Sequence, residues 1–357
     1  MAGSQYVYSF GKCIFMPADL TAGIEFNQDK LEDNMWGYHR TVDQKVNIGS
    51  AFFQNEWKNE HWGFLIGGRL DKHNLIDHVI FSPRANLRYN PTENINLRFS
   101  YSSGFRAPQA FDEDLHVENV GGNVAMVELA DNLKEERSQS LSASADIYHR
   151  FGAFQVNFLV EGFYTKLSDV FALTDGEIVD GILTRTRYNA PGARVMGLTL
   201  EGKMAYLTKF QLQAGITLQQ SHYSEPHVWN KVAPAVKKMM RTPNTYGYFT
   251  ATYTPIKPLS IALSGTYTGS MLVPHEPVPG FLEKPITVNT KDFFDIGLKA
   301  AYDFKLYKSM NLQVNAGVQN IFNAYQNDFD KGADRDSGYI YGPSLPRSFF
   351  AGVKISY

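Results

Sequence analysis

The chain of 357 residues carries a formal net charge of −2, so it lacks the basic footprint of a nucleic-acid-binding protein. Its single cysteine, Cys13, excludes an internal disulfide. No run of about 18 uninterrupted apolar residues is present, which excludes an ordinary transmembrane helix but not a transmembrane barrel, whose strands are polar at every second position.

Strand-like sequence begins directly at the N-terminus, where residues 1–12 lack the apolar core of a signal peptide. Polar and apolar residues then alternate through most of the chain, most regularly at 311–320, where Leu312, Val314 and Ala316 share one face. Helical periodicity of comparable length is absent, so the sequence predicts an all-β chain of 15 strands. In chain order, the predicted strands are 5–15, 18–27, 44–58, 61–73, 79–90, 94–103, 135–151, 153–174, 183–207, 209–223, 243–254, 258–271, 290–304, 310–321 and 346–357.

The connections between these strands alternate in length. Short turns are predicted at 17–18, 59–60, 90–93, 151–152, 208, 255–257 and around 308–309, and long polar links at 28–43, 104–134, 224–242, 272–289 and 322–345, with shorter links at 74–78 and 175–182. Most predicted strands also reach the length of about 9–11 residues that a tilted strand needs to cross a bilayer. Long loops at one end only are typical of outer-membrane barrels, whereas a Greek-key sandwich has no reason to sort its loops in this way.

The two faces of the predicted strands differ in a way that favours a membrane barrel over a sandwich. The polar faces carry mainly Gln, Asn, Ser, Thr and Gly, which suits a wet lumen better than a fully exposed surface. The apolar faces often end in an aromatic residue, as in an interfacial girdle; examples are Tyr101, Tyr164, Tyr206 and Tyr302. The chain itself ends on Tyr357, and an aromatic end of the last strand is the feature by which the outer-membrane assembly machinery selects such proteins. We therefore predict a transmembrane antiparallel up-and-down β-barrel in the lipid bilayer of the bacterial outer membrane.

Two regions resemble the barrel of TonB-dependent outer-membrane receptors. Phe105, Arg106, Ala107 and Pro108 form the aromatic–basic–Ala–Pro element that precedes a long loop in that family, and Leu133, Glu136 and Ser138 match its Leu–x–x–Glu–x–Ser entry into the next strand. Residues 317–329 and 341–357 resemble the family's last two strands. The family's usual Pro-Gly-Arg before the final strand is replaced here by a longer segment that ends at Arg347.

The resemblance implies a barrel of about 22 strands that follows a signal peptide, a TonB-binding box and a plug domain. None of these preceding parts has a counterpart in the chain. With 15 predicted strands and the last one descending to the periplasm, the first strand also descends, and two strands that run the same way do not close an antiparallel barrel. We therefore expect residues 1–357 to form one partial barrel domain, the C-terminal two-thirds of a receptor barrel from a truncated or split gene.

The resemblance also implies import of a large, scarce nutrient, such as an iron–siderophore, haem or a corrinoid. Such a ligand would bind to the extracellular loops and pass through the lumen when TonB pulls on the plug, which this chain lacks. Binding and gating would be the only chemistry, so no enzyme activity is expected. A passive or structural porin-like barrel and a soluble β-sandwich or adhesin are the alternatives.

Candidate ligand-binding residues lie in or beside the long links. Imidazole and thioether groups there suit capture of haem, a metal or a metal chelate, although polar loops collect histidine in any case and no tight pair spacing is present. Aromatic residues could add contact surface for a chelate, or could simply shape the loops. The candidates are His116, His222, His227, Trp229, His275, Tyr339 and Tyr341.

Two acidic segments invite further hypotheses. Asp328, Asp330, Asp334 and Asp336 fall close together in one link and resemble a calcium-binding loop, although the EF-hand's bidentate glutamate is missing and a solvated acidic loop is the alternative. Residues 112–116, with three carboxylates beside His116, suggest a hydrolase, but no nucleophile or oxyanion hole supports that activity. No cofactor is expected to be required, and calcium in the outer loop is the one candidate.

Overall fold

The structure, a computed structural model, describes residues 1–36, 40–108, 124–174, 177–179, 182–307, 309–343 and 345–357. These residues form strands, turns and irregular loops, and none of them belongs to a helix that is long and apolar enough to cross a membrane. The strands are β1 (Ala2–Cys13), β2 (Met16–Met35), β3 (Arg40–Lys58), β4 (Trp62–His73), β5 (Ile80–Thr92), β6 (Ile95–Arg106), β7 (Val124–Leu129), β8 (Glu136–Phe151), β9 (Phe154–Ser168), β10 (Val170–Leu173), β11 (Glu177–Val179), β12 (Ile182–Ala190), β13 (Ala193–Tyr206), β14 (Phe210–His227), β15 (Val236–Lys238), β16 (Thr245–Ile256), β17 (Leu259–Thr268), β18 (Leu272–His275), β19 (Ile286–Asn289), β20 (Phe293–Tyr307), β21 (Met310–Gln319) and β22 (Ser348–Ser356).

One large antiparallel sheet contains 16 of these strands and confirms the predicted up-and-down arrangement. Fifteen of them follow one another in the order β1-β2-β3-β4-β5-β6-β8-β9-β13-β14-β16-β17-β20-β21-β22, and β15 adds to β14 outside this path. Because the path has an odd number of antiparallel strands, β1 and β22 run in the same direction. Within the described residues these two strands pair with no further strand, so the sheet is an unclosed barrel wall.

The two faces of the large sheet have opposite chemistry, as the alternation predicts. Leu198 and Leu218 are partners on adjacent strands and are 39% and 46% exposed, although both are large aliphatic residues. On the opposite face, the hydroxyls of Thr199 and Thr217 lie 3.0 Å apart in a cross-strand hydrogen bond. An exposed aliphatic face backed by a hydrogen-bonded polar face is the arrangement of a wall between hydrocarbon and water, not of a sandwich with a dry interior.

An aromatic row marks the short-turn end of the apolar face. The register makes Phe151 and Phe154, Phe154 and Tyr206, Tyr206 and Phe210, and Phe210 and Tyr253 successive partners. Since directly paired residues point to the same face, five neighbouring strands carry an aromatic ring at one level. This row is the arrangement of an interfacial girdle, in which amphipathic rings lie at the level of the lipid headgroups.

A charged network lies on the polar face of β2, β3 and β4. The Arg69 guanidinium donates through Nε to Asp71 at 2.8 Å, through Nη1 to Glu25 at 3.1 Å and through Nη2 to the Ser50 hydroxyl at 2.8 Å. Ser50 in turn donates to Asp71 at 2.6 Å. One arginine therefore holds three strands together on the side away from the exposed aliphatic residues, where its charge is satisfied.

Two predicted boundaries in the N-terminal part are wrong. Residues 28–43 were expected to form a long loop, but β2 and β3 pair up to Met35 and Arg40, so most of that segment is strand. The alternation signal is weak there because both faces of this extension are polar. The first turn lies at Ile14 and Phe15 rather than at 17–18, and Ile14 adopts a left-handed conformation with φ 65°.

Two other predicted strands, 153–174 and 183–207, are each interrupted. The first ends at Ser168 and is followed by Asp169 at φ 54°, and the second breaks at Pro191-Gly192. A Cβ at Gly192 would lie 2.0 Å from the Leu167 carbonyl oxygen, so only glycine permits this close passage of the chain. The detached segments form a second sheet, in which β12 pairs with β10 and β11 in antiparallel fashion and with β7 in parallel.

The predicted links 272–289 and 322–345 also have defined structure. The first forms the hairpin β18–β19, and the second, in the part that the structure describes, folds onto this hairpin without regular strands. Met271, Val273 and Tyr339 form a small buried cluster at the contact, with Val288 and Tyr341 packed against it. A hydrophobic contact therefore fixes the last long link against its neighbour at the long-loop end of the sheet.

Candidate ligand-binding site

A cavity of about 300 Å³ lies between the long-loop end of β6, the second sheet, and the end of β14 with the residues that follow it. Three arginines and three aromatic or imidazole residues are among the nine residues that line it. The lining residues are Arg106, Phe171, Ala172, Leu173, Thr174, Arg185, Arg187, His227 and Trp229.

Two of the arginines lie over the aromatic ring of Phe171. The guanidinium carbon of Arg106 lies 5.5 Å from the centre of the ring, and that of Arg187 lies 5.6 Å from it. Both distances are within the range of a cation–π interaction, which is about 6 Å. Arg187 is almost fully buried, whereas Arg106 is exposed. The Phe171 ring therefore holds two guanidinium groups next to each other in the wall of the cavity.

Local hydrogen bonds explain why this wall forms. The Glu136 carboxylate accepts a hydrogen bond from the Phe171 backbone N–H at 3.0 Å, which ties the start of β10 to the start of β8. The Asn189 side chain donates to the carbonyls of Lys134 at 3.0 Å and Asp169 at 2.8 Å. Glu136 belongs to the segment that resembles the receptor family, and here it positions the residue that carries the ring.

His227 at the end of β14 and Trp229 just after this strand complete the cavity. The indole Nε1 of Trp229 is buried and has no hydrogen-bond partner in the structure. His227 stacks at a tilt against Tyr223, with ring centres 4.8 Å apart, and lies beyond Leu218, where β14 stops pairing with β16. Burial lowers the pKa of His227, so its ring is neutral near pH 7. A cavity that is lined by guanidinium groups, with the buried N–H donor of Trp229 in its wall, suits a ligand that presents anionic or carbonyl oxygens.

A second cluster joins the hairpin β18–β19 to the last long link. The Nε2 atom of His275 lies 2.8 Å from an Asp330 carboxylate oxygen, and one ligand atom from each of His275, Asp330 and Asp336 falls within 4.8 Å of the others. The side chains of His275 and Asp330 are 6% and 4% exposed. Among the residues that the structure describes, this is the one group of three or more such side chains with metal-ligand spacing.

Tyr339 and Tyr341 lie beside this cluster and share one carboxylate. Their hydroxyls donate to Oδ2 of Asp328 at 3.3 Å and 2.6 Å. Burial first, and then the charge of Asp328, raises the pKa of Tyr339 to about 12. Burial, and then the hydrogen bond to Asp328, also raise the pKa of Tyr341. The buried Gln326 side chain fixes the backbone around both rings, since it donates to the Tyr339 carbonyl at 3.0 Å and accepts from the Tyr341 N–H at 2.8 Å.

The structure separates the candidate residues into distinct groups. His227 and Trp229 line the cavity, whereas His275 belongs to the second cluster, and Tyr339 and Tyr341 lie beside it. His222 lies on β14 opposite Lys238 of β15 and joins neither group. His116 and the acidic segment 112–116 lie outside the described residues.

The four aspartates of the calcium hypothesis do not converge on one point. Asp330 and Asp336 share the cluster with His275, Asp328 accepts the two tyrosine hydroxyls, and Asp334 is exposed. Calcium binding itself stays a prediction.

The residues that resemble the receptor family also have distinct places. Phe105 and Arg106 end β6, and Ala107 and Pro108 follow it. Arg347 directly precedes β22, with its backbone N–H bound to the Asn323 side chain at 2.9 Å. Tyr357 follows the last strand and is fully exposed.

Phe171, Arg185 and Arg187 were not singled out in the sequence. The signal for the two arginines was present, because residues 184–188 read Thr-Arg-Thr-Arg-Tyr and alternate arginines on a strand point to one face. Phe171 carried no comparable signal, since its role depends on Glu136 and on the pairing of β10 with β12.

Comparison with known proteins gives a consistent result. The family model described as "TonB dependent receptor-like, beta-barrel" matches residues 3–321. The siderophore receptor PirA from Acinetobacter baumannii has a similar fold, with a TM-score of 0.70 at 16% identity over 98% of this chain and 53% of that one. A variant of the ferric enterobactin receptor from Pseudomonas aeruginosa, solved with enterobactin, has a TM-score of 0.70 at 18% identity over the same shares.

The FrpB iron transporter from Neisseria meningitidis is also similar, with a TM-score of 0.64 at 15% identity over 98% of this chain and 54% of that one. The chain therefore spans about half the length of the solved structures that it matches. At these identities the likeness shows a common fold. None of the curated proteins matches the chain.

Proposed function

The chain belongs to the TonB-dependent receptor β-barrel family, and from this premise we propose that it forms barrel wall and outer loops of a receptor for an anionic iron chelate. The family consists of receptors rather than enzymes. The proposed receptor lies in the outer membrane, with the exposed aliphatic face of the large sheet against lipid and the polar face toward the lumen. The aromatic row at the short-turn end supports this placement, because such rings collect at membrane interfaces.

The cavity between Arg106, Phe171, Arg187 and Trp229 carries the proposal about the ligand. Guanidinium groups bind carboxylate, phenolate or similar oxygens through charge-assisted hydrogen bonds, and the rings offer surfaces for flat aromatic groups. An iron–siderophore with anionic aromatic chelating groups combines both properties. A corrinoid would make less use of three arginines, and haem would engage them only through its two carboxylates.

Energisation by TonB follows in this proposal from membership of the family. A plug domain would occupy the lumen and transmit the pull of TonB, which draws on the proton gradient of the inner membrane. The polar face of the sheet supports a wet, hydrogen-bonding lumen that such a plug could contact, as the network around Arg69 illustrates. The alternative is a passive channel that lets solutes through without TonB.

Binding to the purified protein tests the ligand. The chain in detergent is titrated with a ferric catecholate, a ferric hydroxamate, haem and cyanocobalamin, and tryptophan fluorescence reports occupancy because Trp229 lines the cavity. Arg106→Ala removes an exposed cation, and we expect it to weaken catecholate binding by about 10-fold, in line with one charge-assisted hydrogen bond.

The matched control is Arg150→Ala, since Arg150 is an exposed arginine in β8 beside the short turn to β9, at the other end of the wall. This control should bind like the wild type. Equal affinities of Arg106→Ala and the wild type for every ligand would overturn the assignment of this cavity as the site.

Uptake by cells separates the receptor from the passive channel. Cells that express the protein are given radioactive iron as the chelate that binds best, with and without TonB. The proposed function requires uptake that disappears without TonB. Uptake of equal rate in both strains would establish a passive channel instead.

A further inference from the structure

The cluster of His275, Asp330 and Asp336 is separate from the arginine-lined cavity, since no residue is common to both. It combines one imidazole nitrogen with two carboxylate oxygens, all within 4.8 Å of one another. We propose that these three side chains bind one divalent transition-metal ion of the Zn²⁺ class, which fastens the link between β21 and β22 to the hairpin β18–β19. The proposal does not depend on which ligand the receptor imports.

The spacing of the three ligand atoms is close to that around a metal ion. Bonds of about 2.0–2.2 Å to nitrogen and oxygen place neighbouring ligand atoms roughly 3–3.5 Å apart. The His275 nitrogen and the Asp330 oxygen are already 2.8 Å apart, and the widest separation in the group is at most 4.8 Å. A shift of about one ångström in the Asp336 carboxylate would therefore complete the three-ligand face, and water would fill the remaining positions.

Neighbouring residues hold two of the three ligands, His275 and Asp336, in place. The His275 ring stacks on the Tyr339 ring with centres 3.8 Å apart and planes 8° apart. The Asp336 carboxylate accepts the Glu276 N–H at 2.9 Å and the Gly338 N–H at 2.8 Å. These contacts fix the orientation of the imidazole and one carboxylate before any ion arrives, which is the role of the residues that support a metal site.

The simpler reading of the group is an ion pair between His275 and Asp330. That pair accounts for only one of the two carboxylates, because Asp336 brings a second negative charge to the same point. Arg241 offsets part of this charge, but its guanidinium donates to the carbonyls of Gly338 and Ile340 and not to the carboxylate. A divalent cation would balance both carboxylates at once.

The donor set also selects the kind of ion. Calcium takes six to eight oxygen ligands, whereas imidazole nitrogen suits zinc, copper, iron or nickel. Asp328 is occupied by the two tyrosine hydroxyls, and Asp334 is exposed. The cluster thus has too few oxygens for calcium and one nitrogen that favours a transition metal.

Calorimetric titration of the full chain with Zn²⁺, after treatment with a chelator, tests the proposal. We expect one ion per chain with micromolar or tighter affinity, and much weaker binding of Ca²⁺. His275→Ala and Asp336→Asn should each weaken Zn²⁺ binding at least 10-fold, whereas Asp334→Asn, which removes an exposed charge from the same link, should change it less than twofold. Equal effects of Asp334→Asn and Asp336→Asn would show attraction by a diffuse acidic surface and overturn the proposal.

A spectroscopic measurement keeps the test independent of any loss of stability. With Cu²⁺ as the probe, electron paramagnetic resonance should show coupling to one imidazole nitrogen in the wild type. The coupling should persist in His222→Ala and disappear in His275→Ala, with circular dichroism used to confirm equal strand content. Coupling that persists in His275→Ala, or that is absent from the wild type, would contradict the site.

Discussion

Arg106, at the long-loop end of the barrel wall, lies over the ring of Phe171 in the second sheet, with 5.5 Å between the guanidinium carbon and the ring centre. This contact joins two sheets that share no strand. The exposed cation of β6 and the loop structure above the wall therefore meet at one cavity, where a ligand would contact both. A change at this junction should alter ligand binding more than it alters the stability of the wall.

The substitution Trp229→Phe tests what the buried indole N–H of Trp229 contributes to ligand binding. The substitution keeps an aromatic ring in the cavity but removes a donor that has no partner in the structure. If the ligand supplies the acceptor, its affinity should fall by about 5- to 10-fold, the worth of one buried hydrogen bond, while the thermal stability of the ligand-free protein stays equal or rises slightly. Titration with the ferric catecholate and a melting curve measure the two quantities on one sample.

A matched control for this prediction is Trp57→Phe. Trp57 lies at the short-turn end, and its indole N–H donates to the Cys13 carbonyl at 2.9 Å. This change should lower the stability and leave ligand affinity unaltered. The opposite pattern, with stability lost in Trp229→Phe and ligand affinity unchanged, would mean that the Trp229 indole serves the fold instead of the ligand.

The membrane-crossing strands were predictable because hydrocarbon on one side and water on the other impose an alternation of period two. Where water lies on both sides, the alternation disappears, and the extension of β2 and β3 beyond residue 28 was missed for that reason. The binding groups depend on contacts between distant segments. The parallel pairing of β7 with β12 and the approach of Asp330 to His275 join segments that no local pattern connects.

The sequence identified residues that belong to motifs, but it did not identify the residues that they contact in the folded protein. Arg106 and Glu136 stood out through their resemblance to a family pattern, but the pattern does not reveal that both contact Phe171. Trp229 and His227 were predicted as ligand candidates from their residue types and their place in a long link, and the structure places them together in the cavity. The grouping of candidates into one cavity and one separate cluster is thus a property of the tertiary structure.

Arg69→Lys should destabilise the wall although it preserves the charge. A lysine ammonium is a compact point charge and does not reach Asp71, Glu25 and Ser50 in the forked geometry that the guanidinium provides. Because Asp71 is nearly buried, weakening its compensation should cost about 1–3 kcal/mol in the free energy of unfolding. Urea unfolding in lipid vesicles measures the loss. A change below the experimental error would show that the network is solvated and contributes little.

Alkaline pH should loosen the last long link. Burial and the Asp328 charge raise the pKa of Tyr339 to about 12, above the value of about 10 in an unfolded chain. A group with a raised pKa contributes stability that is fully present below pH 10 and is lost as the pH rises through 12. The ionisation of Tyr339 is obtained from tyrosinate absorbance as the difference between the wild type and Tyr339→Phe.

Asp328→Asn is the informative variant for this titration. The amide removes the negative charge, so the Tyr339 midpoint should move down toward 10, while Asp334→Asn, which removes an exposed charge of the same link, should leave it in place. A midpoint near 10 already in the wild type would mean that the Tyr339 hydroxyl is open to water and not bound to Asp328.

Neighbouring residues of β21 provide the most direct test of which face meets lipid. Val314 belongs to the apolar face and is 42% exposed, whereas Gln313 points to the polar face and donates to Asp303 at 2.8 Å. Val314→Arg places a charge against hydrocarbon and should destabilise the protein in lipid vesicles by up to about 2–4 kcal/mol, depending on its depth. Gln313→Arg puts the same side chain where the Asp303 carboxylate can pair with it, and it should cost about 1 kcal/mol or less in the free energy of unfolding.

Urea unfolding of both variants in lipid vesicles measures the two losses. A larger loss for Gln313→Arg than for Val314→Arg would reverse the assignment of the faces, and with it the placement of the wall in the membrane.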